Sequence, residues 1–164
     1  KMFGGENFFL GKYEHPDGGK LTFAPSIPGH VEHRQLANNS FNIMAGCFLA
    51  CTPGVNIKAK FGGLKALFSG EGAFLLEASG SGDLFFNSFG GIVEKKIEGD
   101  FIVDSGHVVA FEPSLNYKIS GMGNWKSTML SGEGLVMTFN GSGKIYLQTR
   151  TIDSLASWLT PRLL

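Results

Sequence analysis

Three segments of the chain share one pattern, in which a glycine and a glutamate are followed by a run of apolar residues. The shared glycines, Gly5, Gly70 and Gly132, lie 65 and 62 positions apart. Self-similarity at a nearly fixed period is the signature of a repeated architecture, because each copy folds as one small supersecondary unit. This spacing constrains the fold more than any other feature. The segments are Gly4–Leu10, Ser69–Leu76 and Ser131–Met137.

A glycine-rich stretch and a second aromatic-rich run follow each segment. Glycine tolerates positive φ at little steric cost, so we predict a turn at each stretch. A further element, Phe41–Ala50, matches Phe101–Ala110, and a proline follows the central glycine of each. Proline interrupts a β ladder and therefore predicts a second kind of turn. The glycine stretches with their strands are Gly18–Phe23, Gly80–Phe86 and Gly141–Leu147, and the prolines are Pro53 and Pro113.

Short, evenly spaced strands of this kind predict an all-β fold, a sandwich or barrel of repeated units. The 24 glycines and 15 phenylalanines, with 17% charged residues, favour packed strands over disorder. The 164 residues fit one domain, 1–164, with units at 1–60, 61–122 and 123–150. The third unit is only half present. We therefore expect an N-terminal half-unit to precede Lys1 in the native chain or to be supplied by another subunit.

The last segment, 151–164, predicts a short C-terminal helix and tail. Leu155, Trp158 and Leu159 follow helical spacing. We expect Asp153 or Ser154 to cap the start and Pro161 to end the helix. The interpretation that we favour is a helix closing one end of the β core, and the alternative is an oligomer contact.

Charge and cysteine content bound the class of protein. The formal net charge is zero, which disfavours nucleic acid, because affinity for a phosphate backbone comes largely from Lys and Arg. No apolar run approaches the roughly 20 residues of a membrane-spanning helix. On one strand the Cα atoms of Cys47 and Cys51 would lie about 13 Å apart, too far for a disulfide. Reduced, core-facing thiols predict a cytoplasmic protein.

Several motifs resemble the altered-inheritance-of-mitochondria, or mitochondrial biogenesis, family. They are the three Gly-Glu hairpins, Val103–His107, Leu147–Arg150 and Ser157–Leu159. The resemblance implies units similar to those of the tryptophan RNA-binding attenuation protein, which are short double-stranded β-helices, three in one chain about a pseudo-threefold axis. It also implies a homo-oligomer, a trimer or larger ring. It implies no catalytic residues.

Two groups of side chains are candidates for a binding site. His30 and His33 flank Glu32, and on a strand His30 and Glu32 share a face while His33 points away. A cupin-like metal site would need further ligands at a set spacing, and no such motif is present, so an exposed polar connection is the competing interpretation. The second group is the glutamates of the repeat, which could cluster at an axis or could each cap a hairpin. These are Glu6, Glu71 and Glu133.

Basic residues beside aromatic ones occur at three predicted strand ends, where bases could stack if subunits aligned them. They are Lys58–Phe61, Lys95–Lys96 and Asn124–Lys126. No nucleophile elbow, dinucleotide loop or cofactor motif is found. The sequence therefore predicts a non-enzymatic scaffold or binding protein that acts by self-assembly, without a cofactor. The alternatives are an oligonucleotide-binding ring and a metal-dependent cupin-like enzyme.

Overall fold

In the described part of the chain, the regular structure consists of eight β-strands, one C-terminal α-helix and two short 3₁₀ turns. The computed structural model describes residues 10–60, 75–121 and 135–163. The predicted all-β fold with a short C-terminal helix is confirmed. The strands are β1 (Val31–Met44), β2 (Phe48–Cys51), β3 (Val55–Lys60), β4 (Leu75–Asn87), β5 (Ile92–Asp104), β6 (Val108–Phe111), β7 (Asn116–Gly121) and β8 (Leu135–Gln148), and the helix is α1 (Ile152–Leu163).

All eight strands belong to one open antiparallel sheet with the order β2-β4-β1-β6-β8-β5. In the first set of strands, β1, β2 and β3 each pair with β4. In the second set, β5, β6 and β7 each pair with β8. The sets are joined where β1 pairs with β6. A β-helix repeated about a pseudo-threefold axis, with unit boundaries near 60 and 122, stays a prediction.

The same pairing scheme assigns each residue of the first set a counterpart in the second. Val31 lies opposite Asn87, and Ile92, which is 61 positions later, lies opposite Gln148. Asn38 is an extra residue at a β-bulge, with a φ of 55°. After this bulge, counterparts on β1, β2 and β3 lie 60 positions apart. The two sets can therefore be compared residue by residue.

The predicted turn at Gly80–Gly82 is wrong, because β4 runs through these glycines without reversing. Both have positive φ, 122° at Gly80 and 150° at Gly82. A Cβ on Gly80 would lie 2.3 Å from the carbonyl oxygen of Gly54, and one on Gly82 would lie 2.4 Å from Thr52 Oγ1. Glycine is needed here because the turn before β3 lies directly against β4. In the second set, β8 passes through Gly141 in the same way.

The proline turns are found where they were predicted. The Val55 N–H donates to the Thr52 carbonyl at 3.0 Å around Pro53, and the Leu115 N–H donates to the Glu112 carbonyl at 3.1 Å. The predicted strand within Gly18–Phe23 is absent, since residues 10–28 form no strand and are mostly exposed. This stretch has no neighbouring strand with which to pair among the described residues.

Apolar side chains from both sets form the core where the sets meet. The rings of Phe41 and Phe86 lie 5.6 Å apart, and both approach Tyr146 at 5.7 Å. The contacts of Tyr146 are edge-to-face, a geometry that aromatic pairs prefer. The first-set residues Phe41 and Phe86 thus share one cluster with the second-set residue Tyr146. A second cluster, centred on Phe111 and Phe139, fills the second set.

The C-terminal helix differs from the prediction in its cap, its end and its packing. Thr151 is the cap, accepting from the Ser154 N–H at 3.1 Å, rather than Asp153 or Ser154. Pro161 lies inside α1, in its last turn, and does not end the helix as predicted. None of the helix residues is buried, so α1 does not close the core. Within the described part of the chain, no helix has the length and apolar character needed to cross a membrane.

The turn before β3 lies directly against Gly80 of β4, so a larger residue at position 80 should destabilise the fold. Gly80→Ala should lower the free energy of unfolding by more than about 1 kcal/mol, because it combines a positive φ with a backbone clash. Gly46→Ala is the control, since no heavy atom lies within 4 Å of the added Cβ there. Urea unfolding curves measure both. Equal stability of the two variants would contradict the role assigned to Gly80.

Candidate functional site at the junction of the two strand sets

Arg34 reaches from β1 of the first set into the second set. Its guanidinium donates to Tyr146 Oη at 3.2 Å and to Glu112 Oε1 at 3.3 Å. The same group lies 4.1 Å from the centre of the Phe41 ring. The Arg34 and Glu112 side chains are only 26% and 27% exposed. A planar guanidinium suits this combination of ring stacking and two directed hydrogen bonds.

Two further charged side chains extend the contact. Tyr146 Oη donates to Glu94 Oε2 at 2.8 Å, and Lys144 Nζ lies 2.7 Å from Glu94 Oε1. The Lys144 backbone N–H donates to Glu112 Oε2 at 3.0 Å. The carboxylates of Glu94 and Glu112 therefore each interact with one cationic side chain and with one further hydrogen-bond donor. We call this group the junction cluster: Arg34, Glu94, Glu112, Lys144 and Tyr146.

The electrostatics of the junction cluster oppose acid–base chemistry near neutral pH. Burial raises the pKa of Tyr146 to about 12, and its hydrogen bond to Glu94 adds to the shift. The hydrogen bonds from Lys144 and then Tyr146 lower the pKa of Glu94. The phenol stays protonated and the carboxylate stays ionised, so neither changes state near pH 7. The arrangement is suited to holding two surfaces together.

The first set carries a counterpart surface that none of the described strands covers. His33 Nε2 lies 2.8 Å from Asp83 Oδ1, and the His33 ring stacks on Phe85 with centroids 4.9 Å apart. The Asp83 N–H donates to Thr52 Oγ1 at 2.8 Å. These residues are the counterparts of Glu94, Lys144, Tyr146 and Glu112. We call them the His33 surface: His33, Thr52, Asp83 and Phe85.

Comparison with known proteins identifies the family. The sequence profile described as mitochondrial biogenesis AIM24 matches residues 1–150. The chain belongs to the AIM24 family. An uncharacterised protein of Streptococcus pyogenes serotype M6 is 33% identical over 161 residues. That alignment covers 96% of this chain and 65% of the relative.

A crystal structure of a Streptococcus pyogenes protein shares the fold of this AIM24-family chain. Its TM-score is 0.74 at 31% identity, over 86% of this chain and 63% of the other. The chain thus spans somewhat less than two thirds of the length of these relatives. The family resemblance found in the motifs is confirmed, whereas the likeness to the attenuation protein stays a prediction.

The histidines predicted as candidate ligands engage different carboxylates. His30 Nε2 lies 3.2 Å from Glu32 Oε2, whereas His33 pairs with Asp83. His30 lies in an exposed connection before β1, whereas His33 lies on β1, also with an exposed side chain. Across residues 10–60, 75–121 and 135–163, no three His, Cys, Asp or Glu residues are placed to hold a metal ion. The recurring glutamates, Glu6, Glu71 and Glu133, lie outside the described residues.

Both cysteines are free thiols, as predicted, but they do not share a strand. Cys47 ends the short 3₁₀ turn Ala45–Cys47, and Cys51 ends β2. Burial raises the pKa of Cys47 to about 12, which makes it an unreactive packing residue. His107, the counterpart of Cys47, contacts the Gln148 carbonyl through Nδ1 at 2.7 Å.

Three of the lysines considered for nucleic acid, Lys60, Lys95 and Lys96, have a side-chain contact within the chain. Lys60 forms an ion pair with Glu77. Lys95 Nζ lies 5.2 Å from the centre of the Phe101 ring, and Lys96 pairs with Glu98 at 2.7 Å. Phe61 and Asn124–Lys126 lie outside the described residues. Lys60, Lys95 and Lys96 of this AIM24-family chain are therefore engaged within the chain.

The environment of Tyr146 predicts an alkaline transition. A folded-state pKa of about 12 lies above the usual ~10, so stability from this group is complete below about pH 10 and is lost as pH rises towards 12. Tyr146→Phe should remove the highest-pH phenolate step in an ultraviolet absorbance titration. Tyr13→Phe is the control, because the Tyr13 side chain is 69% exposed. A high-pH step that persists in Tyr146→Phe would contradict the assignment.

Proposed function

We propose that this protein is a non-enzymatic scaffold that acts by self-assembly through the two ends of its sheet. One observation carries the proposal: the ends, β2 and β5, are the counterparts of β6 and β1, which pair with each other inside the molecule. Among the described strands, the outer edge of β2 corresponds to the edge of β6 that pairs with β1, and the outer edge of β5 corresponds to the edge of β1 that pairs with β6. Two edges of this kind are complementary to one another.

Burial differs between the paired strands and their free counterparts. All four residues of β6 are buried, whereas all four residues of β2 are only half-buried. Asn42 on β1 is 4% exposed, and its counterpart on β5, Ile102, is 66% exposed. An exposed apolar side chain on an unpaired edge is a template for pairing with another chain. This contrast supports an interface at each end.

Unlike, complementary edges favour head-to-tail association. Such contacts form a ring when the rotation between copies closes and an open filament when it does not. We propose a closed homo-oligomer, a trimer or a larger ring, in which each strand set acts as one repeat unit. The three-unit β-helix arrangement about a pseudo-threefold axis is part of this proposal. Its support is the shared pairing of both sets on β4 and β8.

The other predicted functions have less support. An oligonucleotide-binding ring would need an unpaired basic surface, and Lys60 and Lys96 are paired with carboxylates. A metal-dependent cupin-like enzyme would need additional ligands beside His30 or His33. Free thiols at Cys47 and Cys51 support the proposed cytoplasmic location. No residue of the junction cluster has the partners of an activated nucleophile.

Native mass spectrometry of the protein, purified without chelator or nuclease, tests the proposal. We expect bare homo-oligomers whose masses are multiples of the 17.6 kDa chain. A monomer at micromolar concentration would contradict self-assembly. Additional mass from stoichiometric metal would favour the metal-dependent enzyme over the scaffold. Additional mass from oligonucleotide would favour the oligonucleotide-binding ring.

A matched pair of variants localises the contact. Ile102→Lys should shift the mass distribution to monomer, because a charge on this edge opposes strand pairing. Val93→Lys lies on the same strand, where the native side chain is also exposed, at 49%, and should leave the oligomer intact. If both variants behave alike, the β5 end around Ile102 is not the interface.

A further inference from the structure

We infer that a polar cleft beside the β-bulge of the first set binds a neutral, polyhydroxylated ligand such as a sugar. The cleft is open to solvent and has a volume of about 550 Å³, within the ~300–1,000 Å³ range of small-ligand sites. Its lining residues come from β1, β4 and the start of β3, and they include Asn38, Asn39, Ser40, Asn56 and Ser79. Because the cleft lies within one chain, the inference is independent of the proposed self-assembly.

Three directly opposite residues line the cleft in a row. Ser79 on β4 lies opposite Ser40 on β1 and opposite Asn56 on β3. Directly opposite residues of antiparallel strands point to the same face of the sheet, so two hydroxyls and one amide lie side by side. These three side chains form no hydrogen bond within the described part of the chain. Their donors and acceptors are therefore available to a ligand.

The bulge adds two further amides to the cleft. It shifts the pairing of β1 with β4 between Ala37 and Asn39, and the extra residue Asn38 has a φ of 55°. The Ala37 N–H donates to Asn39 Oδ1 at 3.1 Å, and the Asn38 N–H donates to Ser81 Oγ at 2.9 Å. These two bonds hold the bulge in one shape before any ligand binds. Bulges re-aim side chains and are over-represented beside functional sites.

The second set shows that strand pairing does not require this bulge. β5 pairs with β8 from Ile92 to Asp104 without a register shift. Gly99 is the counterpart of Asn39, and its φ of 94° satisfies the local backbone without an added residue. An extra residue that places two amides at a cleft, in one set only, therefore indicates a role other than pairing the strands.

The second set also shows that a neighbouring set leaves this part of the surface open. The counterparts of Asn56 and Ser79 are Asn116 and Asn140. Both are exposed, although β6 of the same set is paired with β1 of the first. Access to the cleft therefore does not depend on whether the outer edge of β2 is paired.

The chemistry of the lining determines the class of ligand. All its side chains are amides or hydroxyls, apart from two glycines. The absence of charge among these residues disfavours an anion held by Arg or Lys and a divalent cation held by carboxylates. The absence of aliphatic and aromatic side chains among them disfavours an apolar ligand. Amides and hydroxyls both donate and accept, so a neutral ligand with many hydroxyls matches them.

Sugar titrations followed by NMR of the full chain test the inference. The probes are maltose, cellobiose and N,N′-diacetylchitobiose, each added to tens of millimolar, because an open cleft leaves water in competition with the ligand. We expect at least one of them to shift the backbone amides of residues 38–40, 54–56 and 79–81 in a saturable way. Glucuronate and glucosamine, which are charged, should shift them less. No saturable shift from any neutral sugar, or equal binding of the charged sugars, overturns the inference.

A matched pair of variants assigns the site. Asn56→Ala should weaken binding of the most tightly bound neutral sugar about fivefold or more, because it removes one amide from the row. Asn116→Ala removes the counterpart amide of the second set and should leave the affinity unchanged. An equal loss in both variants, or no loss in Asn56→Ala, would place the ligand elsewhere and overturn the inference.

Two further variants test the bulge. Deletion of Asn38 combined with Asn39→Gly gives β1 the backbone of β5 around Gly99, and it should fold with a nearly unchanged urea midpoint and bind about fivefold more weakly. Asn38→Gly removes only the side chain and suits a positive φ, so it decides the question even if the deletion variant fails to fold. It should also weaken binding. Native affinity in Asn38→Gly would show that the bulge does not contribute to the site. A monomeric protein that binds the sugar contradicts self-assembly alone.

Discussion

The pairing of β1 with β6 is the interaction on which the architecture depends. Each strand set alone would be a four-stranded sheet with an unpaired edge on either side. The ladder between the sets is short, with Asn42 and Ile43 facing Phe111 and Ala110. Side chains reinforce it, because Arg34 hydrogen-bonds to the second set and stacks on Phe41. A half-buried, directed ion pair and an aromatic cluster together fix the register that a few backbone hydrogen bonds would leave weakly specified.

Close approach of backbone segments explains how one strand serves three partners. β4 pairs with β1 along one edge and with both β2 and β3 along the other. The turn joining β2 to β3 must then lie against the middle of β4, where Gly80 and Gly82 leave room for it. The glycines of β4 and the proline turn between β2 and β3 therefore depend on each other. The sequence shows the glycines of β4 and the proline turn but not that the two lie in contact. Glycine suits a reversing turn and a close backbone approach equally well, so its presence does not distinguish them. For this reason the all-β class and the proline turns could be predicted and the unbroken course of β4 could not.

The junction cluster could not be predicted from the sequence for a different reason. Its central residues, Arg34, Glu112 and Tyr146, come from β1, from the turn after β6 and from β8, which are distant in the chain. Their counterparts, Lys95, Thr52 and Phe85, differ in chemical type, so the repeat pattern does not mark these positions. His30 and His33 could be predicted as candidate site residues from their residue type, and His33 does lie on the counterpart of the junction cluster. Its neighbours Asp83 and Phe85 are 50 and 52 positions away, and only the strand register brings them together.

The chemical difference between the two surfaces matches their different surroundings in the described structure. The junction cluster is assembled within one chain, so Arg34 and Glu112 can be half-buried without an exposed, unpaired state in the native protein. Buried charges that lose their partner are costly, and a surface that must exist alone cannot carry them. The free ends instead carry Lys95, a flexible and well-hydrated cation, together with Thr52 and Phe85. These residues tolerate contact with water, which an unpaired buried charge would not. Two chemically different surfaces thus arise from a single pattern of strand pairing.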